Sequence, residues 1–145
     1  MRILVLVSLV TLGSIAGAQE IERINPQGLT QPTAYSHLVK HGELLFIAGQ
    51  VALDDAGNVI GEGDMTAQYR QVLENMKTVL ASEGADFSDV VKITIFTTDI
   101  DEFRKAGSLR SEYFGDSAPA STLVQIERLA RPVFLVEIEA IAIKP

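Results

Sequence analysis

The sequence predicts an α+β domain, a two-layer arrangement of a mixed β-sheet with two helices on one face. Three observations predict it. The chain closes on two β-type runs, Pro119 to Ile126 and Phe134 to Ile143. Two earlier segments, opening at Asp64 and near Asp99, carry apolar residues at helical spacing. Each helix then has a single apolar face, so the pair covers one side of a sheet and leaves the other side needing cover.

Residues 1–18 stand apart from the rest. Met1-Arg2 gives a positive start, Ile3 to Ile15 is apolar with only Ser, Thr and Gly between, and Ala16-Gly17-Ala18 is a small-residue cleavage pattern. This is the three-part pattern of a secretory signal peptide, and it predicts an exported protein, periplasmic or secreted. The apolar run is shorter than the ~20 residues that span a bilayer, so no membrane association is expected once the leader is removed. Residues 19–145 are expected to form one domain around a single core.

Glu20 to Ile24 is the first strand candidate, followed by a loop with Pro26, Gly28 and Pro32. Leu38 to Lys40 and Leu44 to Ala48 are β runs separated by the turn signal His41-Gly42. Asp54 to Gly63, rich in Asp, Gly and Asn, reads as a hairpin-like excursion. Asp64 is the expected N-cap of the firmest helix, whose apolar face is Met65, Tyr69, Val72, Leu73, Met76, Val79 and Leu80, with Gly84 as its C′ residue. Asp89 to Thr98 is a β-branched strand. Asp99 or Asp101 caps a second helix running to about Phe114. The expected order is β, β, β, α, β, α, β, β.

Composition excludes several functions. The chain has 12 basic and 19 acidic residues, a formal net charge of −7. Removing the leader takes away one positive charge, Arg2, and sharpens the imbalance. Nucleic-acid binding is driven by clustered Lys and Arg, and the densest basic groups here are pairs, Arg104-Lys105 and Arg128 with Arg131. There is no Cys, which removes disulfides and thiolate metal sites. His37 and His41 are four apart with no neighbouring carboxylate cluster, a poor match to metal-ligand patterns. Asp54 to Asn58 lacks the spacing and closing Glu of a calcium loop. No Gly-x-Ser-x-Gly elbow is present.

The C-terminal strand carries the most informative triplet, Glu137-Ile138-Glu139. Alternation puts both carboxylates on one face with Ile138 on the other. Two carboxylates side by side belong at solvent, a cleft or another subunit rather than unpaired in a core.

Four segments together resemble the RidA/YjgF family of reactive-intermediate (enamine/imine) deaminases. They are Ile47-Ala48-Gly49-Gln50, Asp99-Ile100-Asp101-Glu102-Phe103, Pro119-Ala120 and Glu137-Ile138-Glu139-Ala140. The resemblance spans residues 19–145. It implies a chorismate-mutase-like fold, a homotrimer, and small-molecule sites in the clefts between subunits. It also implies hydrolysis of a C=N bond without metal or organic cofactor.

Carried over residue by residue, the resemblance makes Tyr35, Ala48, Gly49, Gln50, Gly107, Ser121 and Leu123 the ligand-binding positions and Glu137 the group that orients water. Tyr35 either lines the cleft or packs at the interface. Glu137 serves either the reaction or an ion pair or backbone hydrogen bond between subunits. A carboxylate near apolar walls has its pKa raised, as a general acid/base needs. Three positions depart from the deaminating pattern: Ala48 stands where a hydroxyl is common, Gly107 where an Asn is common, and Ser121 where an Arg holds the substrate carboxylate through a planar fork. Arg128 is expected on the opposite side of the strand and Arg131 in the following turn, so neither is an expected replacement. The departures predict weak or no activity on imines of ordinary amino acids. The rival expectation is a non-catalytic ligand-binding or interaction protein on the same trimer.

Overall fold

Alternation assigns the sheet faces. Along the final strand Val136, Ile138, Ala140 and Ala142 are buried, while Glu139 and Ile143 are exposed and Glu137 and Ile141 are half-buried. The period of two predicted for the Glu-Ile-Glu triplet is therefore present, with both carboxylates on the face away from the helices.

The computed structural model describes residues 20–145. The expected signal peptide, residues 1–18, lies outside the described residues. The strands are β1 (Ile21–Ile24), β2 (Leu38–His41), β3 (Leu44–Gln50), β4 (Val90–Thr97), β5 (Ala120–Gln125) and β6 (Val136–Ile143). They form one six-stranded mixed sheet in the order β1-β2-β3-β6-β4-β5. Every neighbouring pair is antiparallel except β4 and β5, which are parallel. A parallel pair cannot be joined by a tight turn and requires a crossover. The segment after β4 supplies it and crosses over the face that the long helix also covers.

That long helix, α1 (Met65–Ala81), begins where predicted. The Asp64 side chain accepts a hydrogen bond from Ala67 N at 3.0 Å, satisfying one of the free N–H groups of the first turn. Its expected apolar face, Met65 through Leu80, is buried against the sheet. The helix ends at Ala81 with Ser82 as cap. Gly84 therefore sits one position beyond the expected C′, although its φ of 73° is the left-handed geometry that glycine tolerates.

The second helix departs from expectation. It is two helices, α2 (Ile100–Lys105) and α3 (Ser108–Phe114), interrupted at Ala106-Gly107. Glycine is the weakest ordinary helix former, and the break at Gly107 lets Phe103, Leu109 and Phe114 all reach the core. Asp99, not Asp101, is the cap, accepting from Asp101 N at 3.0 Å and Glu102 N at 2.9 Å. A short 3-10 turn at Phe87–Asp89, closed reciprocally by Asp86 and Asp89, leads into β4. Asp54 to Gly63 is the predicted excursion, pinned by an Asn58 N to Asp54 Oδ1 bond of 2.8 Å and a Leu53–Val59 bridge.

All three helices lie on one side. The opposite face carries exposed Leu44, Phe46, Val124 and Ile143, and Leu44, Phe46 and Ile143 alternate with buried residues along their strands.

Candidate functional site

β3 contains one residue too many for its partner. Ile47 pairs with Ala140 and Gln50 with Ile138, so Ala48 and Gly49 together oppose a single residue of β6. Such a bulge bends a strand and re-aims its side chains. Gly49 is required at that bend by close approach. A Cβ added to it would lie 2.7 Å from Glu137 Cδ and closer still to Glu137 Oε1. The Glu137 carboxyl thus rests against the Gly49 backbone, which explains the glycine in Ile47-Ala48-Gly49-Gln50.

The two residues line a cavity of about 360 Å³ together with Tyr35, Ala48, Val51, Leu53, Ala130, Arg131 and Phe134. Its walls are mostly apolar with few polar groups, the composition of a small-molecule pocket. Among the described residues, no protein group hydrogen-bonds to or ion-pairs with the Glu137 carboxylate. Burial is the main cause that raises its pKa, and repulsion from Glu139 on the same face adds to it. An unpaired carboxylate with a raised pKa at an apolar wall is a stronger base than an exposed Glu.

A buried histidine supports this wall. His37 Nε2 lies 2.9 Å from Thr30 O, and its backbone N–H donates to Asn25 Oδ1 at 2.9 Å. Its Nδ1 has no hydrogen-bond partner among the described residues. The exposed Tyr35 ring packs edge-on against His37 with centroids 5.6 Å apart. Ala48 N donates to His37 O at 3.0 Å, joining the two sides.

Of the predicted site residues, Tyr35, Ala48, Gly49 and Glu137 meet in this cavity. Gln50 adjoins it but is buried, its Nε2 donating to Ala48 O at 2.8 Å, and it shapes the bulge. Gly107, Ser121 and Leu123 are elsewhere in the chain. Ser121 pairs with Ile93 and Leu123 with Ile95 in the parallel ladder. Ile93 and Ile95 are buried under the helices, so Ser121 and Leu123 point to the helix side at the far edge of the sheet. Glu137 points the other way. Ser121 Oγ is held by Arg110 Nη1 of α3 at 3.1 Å.

Sequence reasoning missed Arg131, Phe134, Val51 and Leu53, and it set Arg131 aside as a turn residue. Arg131 does lie in that turn, and it lines the cavity because the turn between β5 and β6 ends at the bulged end of β3. The missing signal was strand order: once β6 lies beside β3, the loop that feeds β6 must border the bulge.

The family model described as endoribonuclease L-PSP matches residues 27–144, a stretch that holds every residue of the site. The chain belongs to this family, the RidA/YjgF family to which its motifs pointed. Among Rid relatives, a RutC family protein of Pyrococcus horikoshii is 46% identical over 110 residues, 76% of this chain and 86% of that one. The 2-iminobutanoate/2-iminopropanoate deaminase of Mus musculus is 34% identical over 110 residues, 76% of this chain and 81% of that one. The fold is equally Rid-like. A member of the conserved Rid family from Yersinia pestis superposes with a TM-score of 0.79 at 30% identity, covering 86% of this chain and 99% of that one. TdcF of E. coli, solved with bound serine, gives 0.77 at 28% identity, covering 86% and 99%. A Rid-type function follows for this chain at that level of description.

Proposed function

We propose that the cleft beside Gly49 hydrolyses the C=N bond of a small imine, with Glu137 as the group that orients and deprotonates water. The observation that carries this reading is the Glu137 carboxylate itself, which is unpaired, partly desolvated and held against a glycine backbone at the wall of an apolar cavity. A water hydrogen-bonded to it attacks the imine carbon and gives up a proton to the carboxylate. Nitrogen gains a proton, the resulting carbinolamine collapses to a carbonyl, and ammonia leaves. No redox change occurs, and every atom comes from imine and water. The deaminase among the relatives supports this reaction class.

The reading includes a homotrimer. The uncovered apolar face with Leu44, Phe46, Val124 and Ile143 supports an assembly. So does the separation of Ser121 and Leu123 from Glu137, because only a neighbour's β5 edge could bring those two predicted residues to the cleft. Sedimentation of the purified protein is expected to give three copies; a monomer would contradict it. The pattern of residues 1–18 supports export, which fractionation of expressing cells tests.

Ser121 in place of an Arg leaves the substrate carboxylate without its expected fork, so turnover of 2-imino acids is low unless another guanidinium holds it. A second reading, a ligand-binding protein without turnover, is favoured by Ala48, which offers no hydroxyl to a water. Ammonia release from freshly generated 2-iminopropanoate, compared between the wild type and Glu137→Gln, separates the two readings. A hydrolase loses turnover in the variant and keeps ligand affinity.

A further inference from the structure

The loop between β5 and β6 brings a cation into the same cavity as the candidate base. Arg131 lines the cavity with Glu137, yet among the described residues it forms no ion pair with Glu137 or any other carboxylate. Its guanidinium carbon lies over the Phe134 ring, 4.9 Å from the centroid. Stacking on an aromatic face orients a guanidinium while leaving its in-plane N–H groups free to donate.

The loop that carries Arg131 is fixed rather than left to solvent. Leu129 and Phe134 are buried at either end. Phe134 N donates to Arg131 O at 3.0 Å, closing a turn. Gln68, fully buried in α1, reads the loop exit from both sides: its Nε2 donates to Val133 O at 2.8 Å and its Oε1 accepts from Leu135 N at 2.9 Å. A long helix therefore sets where the guanidinium stands, and a charged group held in place binds an anion with less loss of side-chain freedom.

We infer that Arg131, stacked on Phe134 and positioned by the Gln68 clamp, is the anion-binding group of the cleft and takes the carboxylate of a 2-imino or 2-oxo acid whose reacting carbon faces Glu137. The imino group and the reacting carbon at Glu137 rest on the proposed C=N chemistry; the anion-binding role of Arg131 stands without turnover. The polarity fits the cavity. An unpaired cation and an unpaired carboxylate share one small space, so a ligand with a carboxylate at one end and a reacting carbon at the other satisfies both. Arg70, a guanidinium of α1 tied to Glu112 of α3 and absent from the cavity lining, is the internal control.

The test uses the full chain and two probes of nearly equal shape, pyruvate and its uncharged amide, with affinity measured by calorimetry. Wild type is expected to prefer pyruvate. Arg131→Gln is expected to weaken pyruvate binding about tenfold to a hundredfold, the effect of losing charge-assisted hydrogen bonds, and to leave the amide unchanged. Arg131→Lys recovers part of the loss. Arg70→Gln leaves both probes unchanged. Thermal unfolding of each variant shows that the fold is retained.

Unchanged pyruvate affinity in Arg131→Gln, a matching loss for the amide, or no pyruvate binding by wild type each overturns the inference. Arg131-dependent pyruvate binding in a protein that releases no ammonia from 2-iminopropanoate would instead uphold the anion site and defeat the proposed catalysis.

Discussion

Glu83 and Glu137 are both carboxylates held partly out of water, and their surroundings push them in opposite directions. Glu83 follows α1, with its side chain 12% exposed, and accepts from Lys144 Nζ at 3.0 Å and Lys40 Nζ at 3.1 Å. Burial alone would raise its pKa, but the two lysines outweigh burial and hold it below the usual carboxylate range. Lys40 also reaches Glu22 at 2.9 Å, so the cluster ties β1 and β2 to the end of α1, and Lys144 extends it to the chain's C-terminal end. Glu137 has no such partner, and burial and Glu139 raise its pKa. One site neutralises its charge internally and serves the fold. The other keeps an unsatisfied charge beside a cavity, an arrangement that costs stability and that the proposed function assigns to a ligand.

The contrast can be broken most severely at Glu137. Replacing it with Gln is expected to lower turnover by about a hundredfold or more, within the range assigned to general acid–base groups, while stability stays the same or rises. Next is Gly49→Ala. The new methyl meets the Glu137 carboxyl directly, so the variant is expected to lose about 1–3 kcal/mol, as overpacked sites do. It is also expected to lose turnover, because the carboxylate is displaced. Chemical denaturation together with the ammonia assay checks both.

The pH dependence of stability sharpens the comparison further. The folded-state pKa of Glu83 is depressed, so its contribution is present above the unfolded value and is lost as pH falls through the folded one. The folded-state pKa of Glu137 is raised. Its ionisation therefore weakens the fold as pH rises past the unfolded value toward and through the folded one, and protonation relieves the cost on the way down. Denaturation curves across the acid range are expected to show Glu83→Gln about 1 kcal/mol less stable near neutrality, the discounted value of a partly screened ion pair. That deficit should shrink in acid, with activity unchanged throughout. Glu137→Gln should remove the opposite slope. The smallest effect belongs to Ser121→Ala. The residue is exposed and, among the described residues, its side chain is held by Arg110 alone, so its removal is expected to shift stability by no more than about 0.5 kcal/mol.

Much of the fold was legible in the sequence, and for physical reasons. Val136 to Ile143 alternates because one face of β6 is buried. Asp64 opens α1 because its carboxylate satisfies a free amide. Glu137 and Glu139 share a face because a strand has period two. Strand order was not legible, since local pattern carries no information on which strands pair. The insertion of β6 between β3 and β4 is what turns Gly49, Glu137 and Arg131 into one site. The break at Gly107 was legible only as a weak helix former in an otherwise periodic segment. Ser121 was legible as a departure from the family pattern, but its place on the helix side depends on the parallel β4–β5 ladder.

The central claim is that the unpaired Glu137 carboxylate makes this cleft reactive. The most direct measurement is the rate of ammonia release from freshly generated 2-iminopropanoate, followed across the acid to neutral range for wild type and Glu137→Gln. Wild-type release is expected to rise as pH rises through the elevated Glu137 pKa, and the variant is expected to show only the uncatalysed rate at every pH. Equal rates in the two proteins, or no release above background by wild type, would contradict it.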